Sequence, residues 1–376
     1  MANRVVYKEI ETVEELNNRL KHHNTLEHYA FQSINFHKAD DGASLCRFID
    51  CLFMGCDIPE EMFQRMDSEC IVFPRIKMPF RVFPHRLYDR YNLYRGFDLE
   101  DESSFETCYD TLVYRHYIAT GKEAPCIKES LARTLHDHSI SNALFELMDN
   151  YPDDKVVGIM GGHALLRTDE GYAKIVEISK RLTECGCLML SGGGPGAMEA
   201  THLGAWMAGR DSEEVHDAIE MLKVAPSFSD KGWLSSAIRV ISRYPQTKGF
   251  RSIGIPTWFY GHEPATPFAT DIAKYFDNSI REENITALAK GGIIYTPGSA
   301  GTLEEIFKDA AQNHYETCDY PSPMVFFGHE YYTREFPVYP LFQDMLRRGK
   351  YKNLLLSITD DVDEVVKTIL EFKKKK

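Results

Sequence analysis

Three stretches of this chain run from apolar residues directly into glycine, and that constrains the fold more than anything else in it. They are Lys155-Val156-Val157-Gly158-Ile159-Met160-Gly161-Gly162, then Cys187-Leu188-Met189-Leu190-Ser191-Gly192-Gly193-Gly194-Pro195-Gly196, then Ile293-Ile294-Tyr295-Thr296-Pro297-Gly298-Ser299-Ala300-Gly301. Short apolar runs of this kind read as buried strands, and the near-continuous apolar character fits a parallel sheet covered on both faces. Tyr172 to Cys185, with Ile175, Ile178 and Leu182 at helical spacing, supplies the crossover between the first two strands. The carboxyl ends of parallel strands share one edge of a sheet, and ligands bind in the crevice there. The fold class is therefore α/β, a doubly wound, mostly parallel, Rossmann-like sheet.

The third stretch continues Thr302-Leu303-Glu304-Glu305, a helix opening with a hydroxyl and carboxylates. Glycines let backbone approach a ligand closely, and the free N–H groups of a helix start suit a phosphate. Glu305, about one turn in, would then face whatever the phosphate is attached to. On these residues alone, a plain strand-to-helix turn with Thr302 as N-cap remains the alternative.

The stretches at 191–200 (SGGGPGAMEA) and 297–305 (PGSAGTLEE) resemble the two signature loops of the LONELY GUY family, nucleotide 5′-monophosphate phosphoribohydrolases often mislabelled as lysine decarboxylases. The resemblance covers roughly residues 150–376 and includes an Arg on the helix before the second loop, matched by Arg281. It departs at Ser299, which replaces a Gly, at Glu282, where a Lys is usual, and at Glu199, where a Gly is usual. The resemblance implies hydrolysis of an N-glycosidic bond, without redox cofactor or required metal. It also implies a homodimer or homotetramer. Glu305 would be general base for the attacking water and electrostatic support for the oxocarbenium-like sugar. Arg281 would neutralise the phosphate or assist the leaving base. Gly298, Ser299, Ala300, Gly301 and Thr302 would cradle the phosphate, while Gly161, Gly162, Gly193, Gly194 and Met198 would line the ribose and base side. Read without the resemblance, Arg281 is an ordinary exposed helix residue paired with Glu282 or Glu283. A non-catalytic nucleotide sensor is the rival function, since Ser299 and Glu282 leave room for lost turnover. Pyridoxal chemistry is rejected, because no lysine stands in a Schiff-base context beside these loops.

Composition sets outer bounds. A formal net charge of −13 over 376 residues argues against a nucleic-acid or anionic-membrane surface. No apolar run approaches the roughly 20 residues of a membrane span, and no leader pattern opens the chain, so a cytoplasmic protein is expected. Nine cysteines fit reduced thiols. The Lys373–Lys376 run reads as a solvated tail.

Residues 131–376 are assigned to the nucleotide-binding domain and 1–130 to an accessory region. Within the latter, Cys46, Cys51 and Cys56 recur every five residues, as do Phe48, Phe53 and Ile58, with Phe31 and Phe36 in the same step upstream. Period five fits neither helix nor flat strand, and it suggests pentapeptide-like β-coils over 28–60, one or two in number. Thr12-Val13-Glu14-Glu15 begins a capped helix. Residues 71–97 mix Pro74, Pro79 and Pro84 with aromatics, so an extended segment is expected. Because regular structure cannot bury those aromatics, they give a separate reason to expect a homo-oligomer. Residues 105–150 return to helical patterning as a brace, with His136 and His138 as capping or surface residues. Further on, Pro226 to Pro245 reads as a connection and Asp271 to Lys290 as one long helix. The aromatic loop Trp258 to Thr270 reads equally as a cover for a base or as packing.

Overall fold

The computed structural model describes residues 7–261 and 263–372; the lysine tail and the first residues, on which the leader reading bears, lie outside them. The described residues form two compact units. One takes the chain up to Leu87 together with Glu123–Leu144; the other takes Tyr88–Lys122 and everything from Phe145. The single boundary expected at residue 130 thus gives way to three crossings. Residues 88–122 join the second unit because they are bonded into it: Tyr88 and Ile272 exchange backbone hydrogen bonds of 3.0 and 2.7 Å. Asp110 accepts from the Trp258 indole at 2.9 Å and pairs with the buried Lys274 ammonium at 2.7 Å.

The second unit is built on a seven-stranded sheet, every pairing parallel, in the order Asp271–Ile272, Ser252–Gly254, Leu188–Ser191, Val156–Met160, Gly292–Tyr295, Pro323–Phe327, Leu355–Thr359. The order reverses at Val156–Met160, which pairs with Leu188–Ser191 on one side and Gly292–Tyr295 on the other. That is the topological switch point of a doubly wound sheet, the place where a crevice opens at the carboxyl ends. Helices Glu170–Glu184 and Ala197–Trp206 cover the sheet, with Ile175, Ile178 and Leu182 packed on Val157, Ile159 and Met189 as their spacing requires. No helix among the described residues is long and apolar enough to cross a membrane.

Two expectations in this unit are corrected. Residues 226–245 are not merely a connection. Helix Trp233–Arg243 lies within them, entered through Gly232 in the left-handed conformation and burying Leu234, Ala237, Val240 and Ile241. Residues 271–290 are not one helix either. Asp271–Ile272 forms the edge strand, and the helix starts afresh at Asn278, capped by the Asp277 carboxylate accepting from the Ser279 N–H.

In the first unit, short parallel strands stack as coils. Thr25–Glu27 lies on Arg47–Ile49, and Tyr29–Gln32 lies on Leu52–Met54. Residue pairs 25 and 47, 30 and 52, 35 and 57 stand opposite one another, so corners recur every five residues. Phe31 stacks on Phe53 at 4.9 Å between ring centres, with Phe36 and Phe48 packed around them. Lys8–Ile10 and Ile71–Phe73 extend the stack on either side, giving more coils than the sequence period alone indicated. Cys46, Cys51 and Cys56 are buried free thiols, and burial pushes them up to about 11, 12 and 12. Thr12 caps helix Val13–Leu20 as read, accepting from the Glu15 N–H.

Helices Tyr109–Thr120 and Ile127–Met148 fill the segment read as helical. His136 is fully buried, however, 2.7 Å from Asp137, because it falls on the apolar face with Ala132 and Ile140; His138 is exposed. Residues 71–97 hold the strand Ile71–Phe73 and one short helical turn, Arg90–Leu93, and are otherwise irregular. Their Phe80, Phe83, Tyr88 and Tyr94 are buried within the chain itself. Ile71 and Tyr91 stay exposed, at 50% and 73%, so the apolar surface that suggested a homodimer or homotetramer is covered only in part.

Candidate functional site

The glycines at the three carboxyl ends are where they are for steric reasons. A Cβ on Gly161 would sit 1.9 Å from Thr296 Oγ1 and 2.8 Å from Ala197 Cβ. One on Gly298 would sit 2.1 Å from Thr302 Oγ1. Gly162 donates to Pro297 O at 3.1 Å and accepts from the Ala197 N–H at 3.2 Å, so one residue ties the first loop to both others. Gly193 has a φ of +71° and packs against the backbone of Gly254. The Gly194 N–H donates to Met198 Sδ at 3.4 Å, which places the Met198 side chain along the glycine loop.

The helix of the third loop begins at Ala300, two residues earlier than the Thr302 start read from the sequence, with Ser299 as N-cap. Ser299 makes no side-chain cap bond, so the first-turn N–H groups of Ala300, Gly301 and Thr302 lack both a cap and intrahelical acceptors. Its φ of −112° is an ordinary extended value, which is why serine replaces glycine there without backbone strain. Ser299, Ala300 and Gly301 are exposed, nothing lies within 4 Å of where a Gly301 Cβ would be, and Thr302 is buried. Tyr331 donates to Gly298 O and Tyr332 to Thr296 O at 2.7 Å, fixing the strand-to-helix turn from below.

Arg281 joins these loops. Its Nε donates to Ile255 O at 3.0 Å, its Nη2 lies against Gly192, and its Nη1 stands 3.6 Å from Glu305 Oε1 and 3.9 Å from Glu282 Oε1. Its side chain is 11% exposed, so it is a largely enclosed residue rather than an exposed helix residue. A Cβ on Gly192 would come within 2.6 Å of the guanidinium, so that glycine admits the arginine. Glu305 is 6% exposed, and burial pushes its carboxyl up to about 7 against the opposing pull of Arg281. Glu282 accepts from Tyr260 at 3.1 Å and from Asn278, and it shares a hydrogen bond with Glu304. Those bonds outweigh burial and hold Glu282 low, while the same contact raises Glu304.

Several residues of this neighbourhood were not singled out from the sequence. Asp309, one turn beyond Glu305, is buried, accepts from Tyr295 at 2.5 Å, and is pushed by burial up to about 7. Its spacing from Glu305 was the available signal. Glu199 is fully buried in a bidentate pair with Arg167, at 2.5 and 2.9 Å, and accepts from Tyr172 at 3.1 Å. It anchors the helix after the glycine loop and points away from solvent; nothing in the sequence linked it to an arginine 32 residues earlier. In the aromatic loop, Trp258 and Phe268 are core residues, whereas Tyr260 is exposed and reaches Glu282.

No protein-family model matches the chain, and no curated protein does. Solved structures similar to it include TM1055, a structural-genomics target, at 17% identity over 58% of this chain and 99% of that one, TM-score 0.36. The molybdenum cofactor binding protein of the phototrophic bacterium Rippkaea orientalis aligns at 16% identity over 57% and 96%, TM-score 0.35. The molybdenum cofactor carrier protein of Chlamydomonas reinhardtii aligns at 18% over 57% and 98%, TM-score 0.33. Scores this low favour no activity over another, and the family resemblance continues to rest on the two loops.

Proposed function

We propose that the chain binds a nucleoside 5′-monophosphate at the switch-point crevice and hydrolyses its N-glycosidic bond, releasing free base and ribose 5-phosphate. One observation carries the reading: a buried carboxyl, Glu305, pushed up to about 7, stands 3.6 Å from the largely enclosed Arg281 guanidinium and about one turn into a helix whose uncapped start follows a glycine loop. The uncapped N–H groups of Ala300, Gly301 and Thr302 receive the phosphate. Ionised Glu305 takes a proton from water as the oxygen attacks the anomeric carbon, and the base leaves with the electron pair of the broken bond and takes up a proton from solvent. Its raised pKa makes it a better base than a solvated carboxylate. Arg281, fixed by Ile255 O, supplies positive charge beside the loops.

Binding without turnover is the second reading, and Glu282 favours it. This carboxylate stands 3.9 Å from the Arg281 guanidinium, where the resemblance leads one to expect a lysine, and it offsets part of the positive charge available to a phosphate. The two readings separate on incubation with nucleoside monophosphates, free base and ribose 5-phosphate being followed by chromatography. The hydrolase reading expects product, with kcat/KM for AMP exceeding that for adenosine by about a hundredfold or more, as charge-assisted phosphate contacts imply. Tight AMP binding with no product supports the sensor; equal kcat/KM for AMP and adenosine contradicts the phosphate cradle.

A further inference from the structure

Beside the crevice, the second unit holds a cavity of about 410 Å³ that the chemistry above does not use. Phe105, Phe228 and Trp233 wall it, and Glu102, Asp230 and Lys231 stand at its polar side. None of these residues belongs to the two loops that carry the family resemblance. One side chain, His163, links cavity and crevice. It follows Gly162 in the first glycine loop, meets the Phe228 ring edge-on at 6.0 Å, and pairs with Glu263 at 3.3 Å. Glu263 in turn approaches Gly194: a Cβ there would lie 3.5 Å from its Oε2. Pro264, the next residue, is itself part of the cavity wall. The volume lies within the range of small-molecule sites, roughly 300–1,000 Å³, and ring-bearing walls with a few polar groups are what such sites present.

We propose that this cavity receives the planar base of the nucleotide whose phosphate is held at residues 298–302, and that the base it suits carries exocyclic amine donors. The inference rests on the nucleotide reading given above. Stacking on Phe228 and Phe105 holds the ring plane irrespective of base identity. Selection comes from the two carboxylates, which accept hydrogen bonds and give none, the Lys231 ammonium at that side lying within electrostatic reach of Asp101. Asp230 already accepts from the Ser227 N–H at 2.7 Å through Oδ2, which leaves Oδ1 for a ligand, and Glu102 has no such backbone commitment among the described residues. Adenine and cytosine offer an exocyclic amine at this edge; hypoxanthine and uracil put a carbonyl oxygen in its place, which the carboxylates repel, and keep only a ring N–H as donor.

Isothermal titration of the full chain carrying Glu305→Gln, so that no substrate is consumed, with AMP, IMP, CMP, UMP and ribose 5-phosphate tests this. This protein is expected to bind AMP and CMP about tenfold or more tightly than IMP and UMP. Phe228→Ala should weaken AMP by about tenfold and leave ribose 5-phosphate unchanged, with Phe228→Leu in between and thermal unfolding of both variants close to wild type. Phe228 is only half-buried, so its loss should not unfold the chain. If ribose 5-phosphate binds but AMP affinity ignores both Phe228 substitutions, or AMP and IMP bind equally, the base cavity is refuted while the phosphate site stands. If neither AMP nor ribose 5-phosphate binds, the nucleotide reading fails and takes this inference with it.

Discussion

Glu305 is the residue on which hydrolysis depends in this reading. A carboxyl held at about 7 by burial is about half ionised at neutral pH, and only its ionised form can accept a proton from water. Hydrolysis should therefore show an acid limb: kcat/KM rises with pH to a plateau above about pH 7, and the midpoint belongs to Glu305. A pH–rate series with AMP checks this, and a flat profile between about pH 5.5 and 8 would remove Glu305 as the base. Arg281 sets how far the group shifts, because its guanidinium opposes the effect of burial. Glu304, exposed and bonded to Glu282, is a neighbour with a different environment, and its replacement by Gln should leave turnover within a few-fold.

Among the elements, what was legible in the sequence was the part with local signals. The three glycine endings, the crossover helix and the five-residue step all announce themselves in composition at fixed spacing, and the structure brings the glycine endings of three strands to one edge. Less was legible where a long-range partner decides. Asp271–Ile272 is too short a strand to show a period, and it exists because Ser252–Gly254 and Tyr88 offer it hydrogen bonds. Helix Trp233–Arg243 was hidden by the proline and glycine around it, although its apolar spacing was present. Arg167 and Glu199 gave no sign of their pairing, since they meet only through the fold. The stacked coils make their own prediction. Phe53 is fully buried against Phe31, Phe36 and Phe48, so Phe53→Ala should cost about 3–5 kcal/mol of stability, read by denaturant unfolding. A loss under about 1 kcal/mol would mean the ring ladder does not hold the coils together.

For the whole molecule, two buried acids on the helix of the third loop work against stability at higher pH. Glu305 and Asp309 are both raised to about 7, from ordinary values of 4.5 and 3.8. The folded state therefore binds protons more tightly there than the unfolded chain does. Their contribution is fully present below about pH 4 and is lost as pH rises through about 7. Replacing Asp309 by Asn removes one of these groups. Relative to that variant, the wild-type protein should lose a few kcal/mol between about pH 4 and pH 8, as paired melting curves would record. A constant difference across that range would show that Asp309 titrates normally. The central claim, that Glu305 performs hydrolysis in a nucleotide-binding crevice, meets its most direct test in one comparison. Wild-type protein and Glu305→Gln are each incubated with nucleoside monophosphates, with nucleotide affinity measured in parallel. The wild type should release base and ribose 5-phosphate in equal amounts, and the variant none while its affinity stays within a few-fold. Product formation by Glu305→Gln at near wild-type rate would contradict it.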